Sequence, residues 1–453
     1  VARYDPGVPD SPTALAVLAT GDGQVSLAWS AANKAAAYNV YYSTSPGVTS
    51  ATGTKFGPTS STNSIVTGLA NDTQYYFVVS SVNSSGESIV SNEVLSTPAV
   101  PGAFAQTDLT GTWRFNILVS GTSSGWMRGA IAVDGAGFVT VNPFLDNNGG
   151  TTAPADLFPA LLVNPTGRVR DAVNVGDSLF QGVMGGFQRK IIVGSMVTAS
   201  GEHRFVVMQK HDPSITFTTA ADISGFSSAG GGARRFSYSQ ISSGSISEWE
   251  YTVGQIGSTP DVQYSTFITA QSVPVIPSSK ATRLAITSDG IVTEANSTGA
   301  SKPTVLIPAG VMSDDKSLIV ATATDSANPG KYVLRIYSMI NIVPNDTNTF
   351  SLSDLAGMYS IESLIVGTST LTASGIFAAD GTSGDVAFVS YLDSNGNTTL
   401  PANFTLAISG DGILSNVADA TLHGKLAYNK DIAVITRTEA AGLYSLSIAL
   451  KSY

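Results

Sequence analysis

The residues able to do chemistry are few and scattered along the chain. Gly121-Thr122-Ser123-Ser124-Gly125 fits the Gly-x-Ser-x-Gly pattern, in which a serine nucleophile is lifted on a turn from strand into helix. Here alternating apolar segments, Phe115 to Ser120 and Trp126 to Val133, flank it on both sides, so a hairpin loop is expected instead. Asp393-Ser394-Asn395-Gly396-Asn397 and its counterpart Asp146-Asn147-Asn148-Gly149 set oxygen-bearing side chains around a glycine, as calcium loops do. Asp393, Asn395 and Asn397 are therefore the candidate calcium ligands, against a plain β-turn, which the same residue types favour. No other cofactor is expected. Asp314-Asp315 beside Lys316 reads as a turn with a solvated charge pair.

The three histidines add little. His203 follows Glu202, but neighbouring strand residues face opposite ways. His211-Asp212-Pro213 falls between repeated segments and His423 beside a glycine, and none recurs at equivalent repeat positions. Trp113, Trp126 and Trp249, with Tyr238 and Tyr251, could stack on sugar rings, although aromatics in short strands usually form core. Asn71, Asn83, Asn296, Asn345, Asn397 and Asn403 lie in Asn-x-Ser/Thr sequons.

The elements that must position these residues are strands. The 453 residues include 45 Gly, no cysteine, and 33 acidic against 23 basic side chains, a formal charge of −10. Thiol chemistry is excluded, and a nucleic-acid partner is disfavoured by charge. No apolar run is long enough for a membrane-spanning helix. Low charge with many small polar residues fits an exported bacterial protein, extracellular or at the outer surface or periplasm. A leader, with any lipid anchor it carried, is expected to have preceded Val1.

After a tail of residues 1–7, residues 8–101 alternate with period two in about seven short strands, among them Gln24 to Trp29, Ala37 to Tyr42 and Gln74 to Ser80. Pro9, Pro12, Trp29, Tyr38 to Tyr42, and above all Leu69-Ala70-Asn71-Asp72-Thr73-Gln74-Tyr75 followed by Val79 and Val82 to Ser88, resemble a fibronectin type III domain. The resemblance implies a β-sandwich locked by a corner of Leu69 and Tyr75, and a role as spacer or interaction module. It implies no chemistry.

Beyond the linker Ser96 to Gly102 the chain repeats three times, over residues 104–212, 217–341 and 350–453. Each repeat opens on Phe, Asp, Leu or Ile, Gly and an aromatic: Phe104, Asp108, Gly111 and Trp113; Phe217, Asp222, Gly225 and Phe226; Phe350, Asp354, Gly357 and Tyr359. Each ends on a basic residue and two apolar strands, starting at Arg189, Lys316 and Lys430. The Asp-Leu-x-Gly-x-Trp opening is similar to the start of lipocalins, a likeness of two residues that brings no ligand chemistry. About eight strands per repeat make either a six-bladed β-propeller, two blades per repeat, or three tandem eight-stranded barrels. Ile191-Ile192-Val193, Leu318-Ile319-Val320 and Ile432-Ala433-Val434-Ile435 are apolar at consecutive positions, so both sheet faces must be covered. A propeller does this and a lone barrel wall does not, which favours the propeller within an all-β chain.

No constellation amounts to an active site. The reading is a non-enzymatic secreted or cell-surface binding or structural protein whose partners are proteins or polysaccharides. The alternatives are a propeller glycosidase or lyase using paired carboxylates, and a self-assembling filament or surface-layer subunit in which Val1 to Pro6 pairs with a neighbour's sheet edge.

Overall fold

The computed structural model describes residues 7–21, 24–59, 62–70, 73–98, 104–171, 180–224, 233–256, 261–264, 268–270, 282–296, 310–325, 328–340, 349–416, 418–440 and 442–452. The tail Val1 to Pro6, Asn71-Asp72, Phe226 and Asn345 lie outside them. The chain forms two units, Val1–Ala103 and Phe104–Ser452.

The first unit is a sandwich. Strands Thr13–Gly21, Gln24–Ser30 and Asn63–Thr67 form one sheet; Thr54–Thr59, Ala37–Ser43, Tyr75–Asn83 and the short Gly86–Glu87 and Val94–Ser96 form the other. Alternate residues meet between the sheets around Trp29, Val40, Phe77 and Val79, with the Trp29 and Tyr38 rings edge to face at 5.5 Å. The Ala70 N–H donates to the Tyr75 hydroxyl at 3.1 Å beside buried Leu69, which is the expected corner.

The second unit corrects the propeller. The strands of each repeat pair in one continuous antiparallel sheet and do not divide into four-stranded blades. In the third repeat the eight strands from Gly357–Gly367 to Leu443–Ser452 close into a barrel. The second sheet returns on itself where Arg234–Gly244 pairs with Glu248–Ile256. In the first, the bridge Phe138 to Ala160 joins the two end strands.

Both faces of these strands are covered, as their consecutive apolar residues require. Ile192, Ile319, Ala433 and Ile435 point into their own barrels, whose interiors are filled by side chains as eight strands allow. Their neighbours Ile191, Val193, Leu318, Val320, Ile432 and Val434 point outward into one core shared by all three barrels, together with Leu118, Phe205, Val207, Leu334 and Ile448. The barrels therefore screen one another's outer walls.

Contacts between barrels run head to tail. Trp126 of the first donates its indole N–H to Thr324 of the second, and Trp249 of the second donates to Thr438 of the third, both at 3.0 Å. Thr324 and Thr438 lie equally far beyond Leu318 and Ile432, so the two interfaces are equivalent. Ser120 and Thr370 link the first and third barrels at 3.1 Å.

The opening frame of each repeat is a clamp on its own ending. Asp108, Asp222 and Asp354 each accept a backbone N–H from three or four residues earlier, those of Ala105, Thr218 and Ser351. The same carboxylates hold Arg189, Lys316 and Lys430 at 2.7, 2.6 and 3.0 Å. Each cation also lies over the frame's phenylalanine, Phe104, Phe217 or Phe350. Arg189, Lys316 and Lys430 all adopt positive φ, near +60°, which turns the chain sharply enough to bring the charge back. The paired-charge reading of the Asp314-Asp315-Lys316 turn is corrected accordingly: Lys316 reaches Asp222, and the Asp314 side chain, 5% exposed, lies against Lys190 and His211.

Candidate functional site

The loops singled out by sequence hold themselves together. Asp393 Oδ1 accepts the N–H groups of Asn395 and Asn397, both at 2.9 Å, and the Asn397 Oδ1 accepts that of Thr399 at 3.0 Å. Asp146 does the same for Asn148 and Gly150 at 2.8 Å. Gly396 and Gly149 sit at φ +81° and +83°, where a side chain would strain the turn. Among the described residues no three His, Asp or Glu side chains are placed to hold a metal ion.

Ser123 lies in a loop between Gly111–Gly121 and Gly125–Val133, and its hydroxyl donates to Glu202, which also accepts from Arg204 at 3.0 Å. His203 instead pairs in register with Ser120. His211 Nδ1 is 3.5 Å from Asp314. His423 stacks on Tyr251 of the second barrel at 5.4 Å, and burial lowers its pKa. The aromatics weighed for sugar stacking take the core positions expected of aromatics in short strands. Trp113, Trp126, Trp249, Tyr238 and Tyr251 are all buried, and Trp126, Trp249 and Tyr251 join neighbouring barrels.

What the structure brings together, and the sequence reading missed, is polar chemistry at the barrel mouths. In the second barrel Lys331, 3% exposed, faces Glu248 at 2.5 Å, Asp325 at 3.5 Å and Glu250 at 3.8 Å. Burial alone would lower the pKa of this amine, but the Glu248 hydrogen bond and the three carboxylate charges raise it. Nearby, Gln240 Oε1 accepts from Arg335 at 2.8 Å and from the Tyr238 hydroxyl at 2.5 Å.

In the third barrel a cavity of about 100 Å³ opens at the mouth. Arg437 donates to Asp419 at 2.9 Å and lies 3.5 Å from Glu439, which accepts from Ser445 at 2.7 Å. The Ser363 and Ser447 hydroxyls meet at 2.7 Å below them. Apolar positions of the first barrel have become polar here. Trp113 and Tyr359 are equivalent, as are Lys210 and Lys451, whose amines donate to the Asp108 and Asp354 carbonyls. Counting from these, Ile117 and Val206 correspond to Ser363 and Ser447. Counting seven residues on from Arg189 and Lys430, Met196 corresponds to Arg437. The signal that could have found this site was polar residues on the interior alternation of a repeat whose sister is apolar.

A larger cavity, about 220 Å³, lies where the three barrels meet, lined by Lys190 and Lys210, by Asp314 and Asp315, and by Ile432. Its polar groups are engaged across the junction: Asp314 with Lys190 at 3.2 Å and with the Asp212 N–H at 3.0 Å, Asp315 with Asn429.

No curated protein matches the chain. Among solved structures, one titled FN3tt is 30% identical and covers 20% of this chain and 96% of its own, with a TM-score of 0.17. Transferrin binding protein B of Haemophilus parasuis Hp5, a vaccine antigen, is 10% identical over 93% of this chain and 96% of its own, with a TM-score of 0.22. The isotype 1 protein of the same name from serogroup B Neisseria meningitidis is 9% identical over 98% and 78%, with a TM-score of 0.24. The family model of the fibronectin type III domain matches residues 10–97, where the sandwich, its Trp29 core and the Tyr75 corner lie. Residues 10–97 are a fibronectin type III domain.

Proposed function

We propose that this is a non-enzymatic extracellular or cell-surface binding protein, in which the fibronectin type III domain serves as spacer or interaction module and the three-barrel unit as a rigid head. The observation that carries the reading is the shared core. Outward residues of all three barrels are spent on packing the barrels together, which fixes the surface loops and mouths in one frame. Pre-organisation of that kind lowers the ordering cost of binding a large partner. The partners expected are proteins or polysaccharides of a bacterial surface or its surroundings.

Incubating the purified chain with immobilised surface polysaccharides and proteins tests this, with reducing ends and unsaturated sugars assayed in the same wells. Saturable retention without product supports the reading. Product release would establish the glycosidase or lyase alternative, and no retention on any surface would contradict a binding role.

A further inference from the structure

We propose that the mouth of the third barrel binds a primary ammonium group carried on a short apolar chain. The site exists because two features that fill the first barrel are missing. There, the segment between strands Val139–Asp146 and Leu161–Val163 turns inward and plugs the interior with Phe158, whose ring lies 6.0 Å from Phe115 and 5.3 Å from Phe180. In the third barrel the matching segment, Asn395 to Leu400, stays exposed. The flanking strands Asp385–Asp393 and Phe404–Ile408 pair only at Asp385 with Thr405 and Val386 with Phe404, so the wall parts beside the cavity. The second feature is the replacement of Ile117 and Val206 by Ser363 and Ser447, which removes apolar bulk from the same depth.

The lining selects the ligand. Phe388, Phe404, Ile361 and Ile435 give an apolar wall, and Tyr391 adds a further aromatic face. Arg437 is already in contact with two carboxylates, Asp419 and Glu439, so the rim carries a net negative charge. The Tyr391 hydroxyl reports the same field: its pKa is raised by burial first, then by the charges of Asp393 and Glu439. A carboxylate ligand would be repelled by Glu439, whereas an ammonium finds Glu439, serine lone pairs and aromatic faces together. Scaled from a 150 Å³ pocket that takes the six heavy atoms of benzene, about 100 Å³ encloses about four heavy atoms, so the rest of a five-carbon chain lies in the open mouth. Such a group could be a free amine or the end of a lysine side chain on a partner.

The test is titration of the full chain with n-pentylammonium, pentanol, pentanoate and an N-acetyl-lysine methylamide, followed by calorimetry at low salt. Saturable binding of pentylammonium with Kd of the order of 1 mM is expected, at least about tenfold tighter than pentanol or pentanoate. Binding of the lysine amide as well would identify a side chain as the source, and its failure beside pentylammonium binding would leave free amines. Glu439→Gln should weaken pentylammonium about tenfold, and Ser363→Ile with Ser447→Val should abolish it while circular dichroism stays unchanged. Equal binding of all the probes, no binding of pentylammonium, or binding indifferent to Glu439→Gln would overturn the proposal. The polysaccharide and protein retention assay above does not depend on this outcome.

Discussion

Asp354 and Lys430 lie 3.0 Å apart although 76 positions separate them in sequence, and Asp108 with Arg189 and Asp222 with Lys316 repeat the contact in the other two barrels. The pair stitches the first turn of a repeat to its closing hairpin over the face of Phe350. Lys430→Met should therefore cost about 1–2 kcal/mol, more than an exposed ion pair, since both partners are largely shielded. Lys430→Gly should cost less than Lys430→Met, because glycine relaxes the +64° φ while losing the same charge. Urea titrations of the two variants check the order.

Much of this was legible in the sequence. Trp29, Leu69 and Tyr75 announced the sandwich, and the Phe, Asp, Gly, aromatic frame announced the repeat. The two-sided apolar strands such as Ile191-Ile192-Val193 correctly required cover on both faces. Periodicity cannot say what covers a face, and mutual packing of barrels satisfies Ile191 and Val193 as well as a neighbouring blade would. The mouth residues stayed hidden for a related reason. Arg437 and Glu439 look like solvated strand ends until strand register places them on the interior alternation with Ile435.

Lys425 is fully buried, its ammonium 3.9 Å from the Phe350 ring centre and donating to the Leu426 carbonyl. Burial lowers its pKa to about 7, against a partial offset from Asp411. Between pH 7 and the unfolded value of 10.5 the unfolded chain binds more protons at this site, so stability should rise with pH there. The contribution is about 1.4 kcal/mol per pH unit. Lys425→Met should flatten the slope in chemical denaturation at pH 7, 8 and 9; an unchanged slope would mean that another group sets it.

Glu362, 1% exposed, points outward from the third barrel, and among the described residues neither of its oxygens has a hydrogen-bond partner. Burial raises its pKa well above 4.5, opposed by the positive charge of Arg168 on the first barrel. The folded chain thus holds this proton where the unfolded chain has released it, so stability falls as pH rises from about 4.5 toward the folded value. Glu362→Gln should be more stable than the parent at pH 7, and the two should converge near pH 4. Parallel curves across that range would contradict the assignment.

At the Asp393 turn the carboxylate's observed work is to accept two amides. Asp393→Ala should lower stability by about 1 kcal/mol, while a chelator should leave the parent's thermal midpoint in place. A drop of several degrees on chelation would show that calcium binds this loop, because a ligand held only by the folded state stabilises it.

Because the three barrels share a core, they are expected to unfold as one cooperative unit. The direct measurement is hydrogen exchange, resolved by segment, on the full chain and on Phe205→Ala, which removes a ring from the first barrel's outer wall. The substitution should cost about 3–5 kcal/mol. Protection should fall together in the strands of all three barrels, including Leu318–Thr324 and Ile432–Ala440. Loss of protection confined to residues 111–211 would contradict it and make the barrels independent domains.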